Sequence, residues 1–100
     1  MAPRPRLTFD KTELVLIDTE AKKPAVHNLS RDDLVRFRLT RKRAFAVYRF
    51  VDDDVLELHV RGTVDPLLMR RRRNRELFDG YLDGARKFCE ANQIPFVDET

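Results

Sequence analysis

A single cysteine, Cys89, stands among the 100 residues of this chain. That excludes an internal disulfide and suits a reducing, cytoplasmic setting. No apolar run approaches the roughly 18 residues a membrane-spanning helix needs. The opening stretch MAPRPRLTFD carries charge but no apolar centre, so it does not read as a secretory signal. Of the three glycines, Gly80 and Gly84 fall inside a helical pattern, not between a strand and a helix, so there is no phosphate-cradling loop. The lone cysteine and the two histidines, His27 and His59, lack the spacing of zinc ligands. No metal, no cofactor and no catalytic constellation is expected, and hence no enzyme.

What is present is ordinary globular composition, 42% hydrophobic and 37% charged, enough for one domain around one core. The net charge of +3 is unevenly placed. Without Arg4, Arg6 and the run Arg70 to Arg73, the chain holds 14 basic against 17 acidic residues. Positive charge therefore belongs to local patches and not to the body. Residues 1–6, where Pro3 and Pro5 alternate with Arg4 and Arg6, read as a flexible N-terminal arm, and residues 7–100 as a single α+β domain.

The chain is organised around the run from Asn74 to Asn92. At about 100° per residue, Leu77, Phe78, Tyr81, Leu82, Ala85, Phe88 and Cys89 share one face, with charged residues opposite. This is an amphipathic helix capped at Asn92. Gly80, Gly84 and Ala91 lie along one edge of it, where a strand or a second chain can approach closely. Upstream, Asp65-Pro66 reads as a helix start, giving either a short helix over 66–69 or one long helix. Downstream, Ile94 to Val97 reads as an apolar strap.

Before the helix come about six short strands. Leu7 to Asp10 reads as an edge strand. Glu13 to Asp18 reads as a strand buried on both faces, 19–24 as a turn or loop, and Ala25 to Leu29 as a weaker strand broken by 30–33. Three more follow at 34–40, 44–51 and 54–61, separated by Arg41-Lys42-Arg43 and by an aspartate turn. Alternation places Val35, Phe37 and Leu39 on one face. With loops at 41–43 and at Asp52-Asp53, Leu39 falls opposite Phe45, Phe37 opposite Val47, Phe45 opposite Val60 and Val47 opposite Leu58. The other face then carries Arg36, Arg38, Tyr48, Glu57, His59 and Arg61, a candidate contact surface.

The strongest candidate for anion or partner binding is Arg70, Arg71, Arg72, Arg73 and Arg75, whose guanidinium forks suit phosphate or carboxylate. Cys89 with His27 or His59 does not make a nucleophilic pair, because Cys89 belongs to the helix's apolar face. Asp52 to Asp54 lack the alternating ligands and glycine of a calcium loop and read as a solvated turn.

LTFD followed by ELVLID, then LVRFRLT, the AFAVYRF and VLELHVR hairpin, and the helix ending in NQIPF together resemble the bacterial pleckstrin-homology-like domains. The resemblance spans nearly the whole chain. It implies a non-catalytic half-barrel plugged by its helix and serving protein or ligand contacts, with no functional residues to carry over. The expectation is a small cytoplasmic interaction module, binding another protein or a second copy as a homo-oligomer. Sequence-independent nucleic-acid or polyanion binding through Arg70 to Arg73 is the alternative.

Overall fold

The computed structural model describes residues 7–18, 25–46 and 48–100. The N-terminal arm and the turn at 19–24 lie outside the described residues. The fold is α+β: a three-stranded sheet, a four-stranded sheet, and one main helix joined to both by a common core.

The first sheet is an antiparallel meander of β1 (Leu7–Phe9), β2 (Glu13–Asp18) and β3 (Ala25–Ser30), with β2 in the middle. Leu14 and Leu16 are fully buried while Val15 and Ile17 are only half-buried. The expected two-sided burial of this strand is therefore corrected to one face in the core, as period-two alternation in an antiparallel sheet dictates. A 3-10 turn, Arg31–Asp33, follows β3, held by the Asp33 carboxylate accepting from Ser30 N–H at 2.9 Å.

The second sheet departs from expectation. In place of three short strands there are two long ones, β4 (Leu34–Ala46) and β5 (Arg49–Val60), paired antiparallel. Leu39 lies opposite Leu56 and Phe37 opposite Leu58, which replaces the expected register. Ala46 pairs with Arg49, so only residues 47 and 48 connect the strands, and Tyr48 takes a left-handed φ of 66°. Neither Arg41-Lys42-Arg43 nor the aspartate cluster is a loop. They face one another mid-ladder, Arg41 with Asp54, Lys42 with Asp53 and Arg43 with Asp52. Opposite charges directly across a ladder stabilise it, whereas either run alone reads as a turn. A bulge between Leu34 and Arg36 also shifts the start of β4, so Leu34 is buried and Val35 is 45% exposed.

Residues 66–69 are not helical. After Pro66 the chain enters β6 (Leu67–Arg70), which pairs with β5 at Val55 to Leu58. Proline starts an edge strand as readily as a helix, and pairing Met69 with Leu56 brings Met69 into the core. A single turn, α1 (Arg71–Asn74), ends at Arg75, whose φ of 47° breaks the helix. The main helix α2 (Leu77–Asn92) thus begins three residues later than its periodicity suggests.

Its buried residues are Phe78, Tyr81, Leu82, Ala85, Phe88 and Cys89, as the amphipathic pattern requires. Phe88 reaches both sheets, with ring centroids 5.3 Å from Phe9 and 6.3 Å from Phe37. Gly84 lets β1 approach, since a Cβ there would lie 2.9 Å from the Phe9 ring, whereas nothing lies within 4 Å at Gly80. Ala91 is exposed. The left-handed cap is Gln93, with φ 59°, and not Asn92, whose amide instead donates to the Phe88 and Lys11 carbonyls, each at 2.9 Å. Buried Ile94 then leads into β7 (Phe96–Asp98), parallel to β4 at Phe37 to Leu39. The strap is a strand.

Candidate interaction surface

The arginine run is divided among three elements. Arg70 ends β6, Arg71 to Arg73 form α1, and Arg75 breaks the helix. Arg71 is committed internally. Its guanidinium bonds Asp54 at 2.9 Å and Asp79 at 2.8 Å and lies 4.7 Å from the centre of the Phe78 ring. Although burial pushes its carboxyl up, Asp54 is held below its ordinary pKa by hydrogen bonds from Arg41 and Arg71. The Arg72 backbone N–H donates to Asp53, which is only 6% exposed. Asp53, Arg70, Arg72 and Arg73 line an open hollow of about 480 Å³. Arg72, Arg73 and Arg75 are exposed. Of the run, the Arg71 side chain and the Arg72 backbone are thus committed to Asp54 and Asp53 of β5, while Arg72, Arg73 and Arg75 present their side chains at the surface.

The expected contact face on the sheet separates into three places. Arg38 and His59 gather around Glu57, a carboxylate only 4% exposed, at 3.8 and 3.0 Å, and Lys42 joins them at 3.6 Å. A buried charge needs such pairing to be tolerated. Arg38 also bonds Glu99 at 2.6 Å. Arg36 lies opposite His59 in the ladder and is exposed. Arg61 turns to the 3-10 turn, its Nε donating to the Asp32 carbonyl at 3.1 Å and its backbone N–H to Asp33 at 2.7 Å. Tyr48 joins neither group, because it sits in the hairpin connection.

That connection is the tip of a feature the sequence reading missed. β6 pairs with β5 only at Val55 to Leu58, and β7 with β4 only at Phe37 to Leu39. Among the described residues, 41–46 and 49–54 therefore pair only with each other, a two-stranded ribbon about 20 Å long by strand rise. At its tip Tyr48 is 95% and Phe50 63% exposed, with the Arg43 guanidinium 5.4 Å from the Phe50 ring centre. The signal was present in the sequence. RKR and DDD are placed symmetrically about the Val47–Tyr48 bond, as the two sides of a hairpin must be.

Other chemistry finds little here. Burial pushes the Cys89 thiol up to about 12, away from the reactive thiolate. Among the described residues no three His, Cys, Asp or Glu side chains converge as metal ligands, and no helix is long and apolar enough to cross a membrane. Compared with known proteins, the chain matches no family model, no curated protein and no solved structure.

Proposed function

We propose that this protein is a small non-enzymatic interaction module that binds another protein, or a second copy of itself, through the tip of the β4–β5 ribbon. The carrying observation is the exposure of Tyr48 and Phe50 on a ribbon that no strand flanks among the described residues. A two-stranded hairpin is marginal alone in water, and exposed aromatics flanked by arginine are the usual anchors of protein interfaces. Two sheets sharing a core with a late amphipathic helix support the pleckstrin-homology-like reading, although β7 follows the helix. Buried Cys89, a free thiol, accords with a reducing, cytoplasmic setting.

The test joins sedimentation of the protein over a range of concentrations with affinity capture, each repeated on Tyr48→Ser with Phe50→Ser. Self-association or partner capture that the double substitution abolishes supports the proposal. A strict monomer that captures nothing, or capture indifferent to both side chains, overturns it.

One observation favours a second reading. Arg72 and Arg73 border the open hollow beside β6 and, with Arg75, remain at the surface, so they can neutralise a few phosphates of a polyanion. Anisotropy of a labelled oligonucleotide would then show affinity that falls steeply with salt. Arg72→Ser with Arg73→Ser and Arg75→Ser removes it. Arg71 is left intact because it anchors Asp54.

A further inference from the structure

We infer that the partner docks as an extended, acidic segment adding a strand to the open edge of β4 at residues 41–46. This rests on the interaction reading above and names the chemistry of the partner. The edge is already a strand-accepting surface. Phe37 N–H donates to the Pro95 carbonyl at 2.9 Å, and the Leu39 carbonyl accepts from Glu99 N–H at 2.8 Å. Backbone groups alternate sides along a strand, and the β4–β5 register is unbroken from Arg36 to Ala46. The amides and carbonyls of Arg41 and Arg43 therefore point to the same side as those of Phe37 and Leu39. β7 stops short of them. The β4–β7 pairs run only from Phe37 to Leu39, and Thr100 N–H donates two residues back to Asp98 Oδ1 at 3.0 Å instead of to β4.

The chain's own occupant of this edge shows the preferred charge. β7 and the residue after it bring Asp98 and Glu99 alongside β4, and Glu99 bonds Arg38 at 2.6 Å. Further along, β4 presents Arg41, Lys42 and Arg43, all exposed, with Arg41 shared with Asp54 at 3.0 Å, Lys42 with Glu57 at 3.6 Å and Arg43 with the Phe50 ring. The two edges of the ribbon differ. Asp54 is met by Arg71 as well as by Arg41, and Asp53 by the Arg72 backbone, whereas no strand follows β7 along the basic edge among the described residues. Positive charge on an open edge repels a second copy of that edge and admits an acidic strand. Strand addition supplies main-chain hydrogen bonds, and side-chain charge selects the partner. Tyr48 and Phe50 at the tip then cover the far end of the added strand.

The experiment titrates the intact protein against a labelled octapeptide alternating threonine and glutamate. Its controls are the lysine-for-glutamate version and the glutamate peptide N-methylated at alternate residues. The expected result is saturable binding of the acidic peptide, none of the basic one, and protection from amide exchange at Arg41 and Arg43. N-methylation weakens binding about tenfold or more, since each lost edge hydrogen bond carries about a fivefold effect. Lys42→Glu with Arg43→Glu reverses the charge preference. If that variant does not fold, the N-methyl comparison on the unaltered protein decides. Equal binding of both acidic peptides means charge attraction without strand addition and overturns the inference. So does concentration-dependent polymerisation in which the acidic β5 edge of another copy occupies the site. If the acidic peptide fails while capture dependent on Tyr48 and Phe50 persists, the edge assignment falls and the interaction reading stands.

Discussion

Tyr48 carries both the strain and the exposure of the hairpin tip. A left-handed φ costs a residue with a Cβ about 1–2 kcal/mol, and glycine or asparagine is the usual occupant of such a turn. Strain retained at an exposed aromatic points to a use for that side chain. Tyr48→Gly is expected to protect the ribbon amides by about 0.5–1 kcal/mol more in hydrogen exchange while weakening partner binding. A substitution that stabilises and binds equally well would separate the strain from function. Asp98 presents the opposite case, a side chain whose charge helps hold its strand. The Thr100 hydroxyl at 2.7 Å, Arg86 at 2.9 Å and the Thr100 amide lower its pKa from 3.8 to about 2. Because the folded value is depressed, its contribution is complete above pH 3.8 and is lost as pH falls toward 2. Urea midpoints of the native protein should fall across that window more steeply than those of Asp98→Asn. Parallel slopes would show that the contacts do not persist in solution.

At the scale of elements, two glycines of α2 make opposite predictions. Gly84→Ala forces a methyl against the Phe9 ring at 2.9 Å and is expected to cost about 1–2 kcal/mol. Gly80→Ala meets nothing within 4 Å and is expected to add about 0.5–1 kcal/mol from helix propensity. Denaturant melts of the two variants read both signs. The helix was legible in the sequence because its stripe, from Phe78 to Cys89, is long and strictly periodic. β1 and β3 were legible from their flanking breakers. The ribbon was not, because Val47-Tyr48 has none of the chemistry that marks a hairpin turn, while RKR and DDD each look like a loop until seen as partners. β6 was hidden by Asp65-Pro66, a helix-start signal overridden by the benefit of pairing Met69 with Leu56 and burying it. The candidate arginines were identifiable as a cluster. What each one does depends on Asp53, Asp54 and Asp79, which only the fold brings near.

For the whole molecule, charge balance is arranged by sheet geometry more than by composition. The run from Arg70 to Arg75, read alone, suggests a surface built for phosphates. In the fold Arg71 and the Arg72 backbone bind Asp54 and Asp53 on the acidic side of the ribbon, and among the described residues no strand covers the basic side. Ionic strength should therefore act on two properties at once, loosening the ribbon ladder and weakening attraction for acidic partners.

The parallel seating of β7 on β4 has a consequence for the order of folding. Phe37 and Phe96 are joined across most of the chain length, whereas Ala46 and Arg49 are nearly adjacent. The hairpin closes a small loop and the last strand a very large one, so the hairpin forms early and β7 docks late. Until it docks, β4 offers its edge from Phe37 to Ala46 without interruption. A nascent chain passes through that state before β7 reaches its place beside β4.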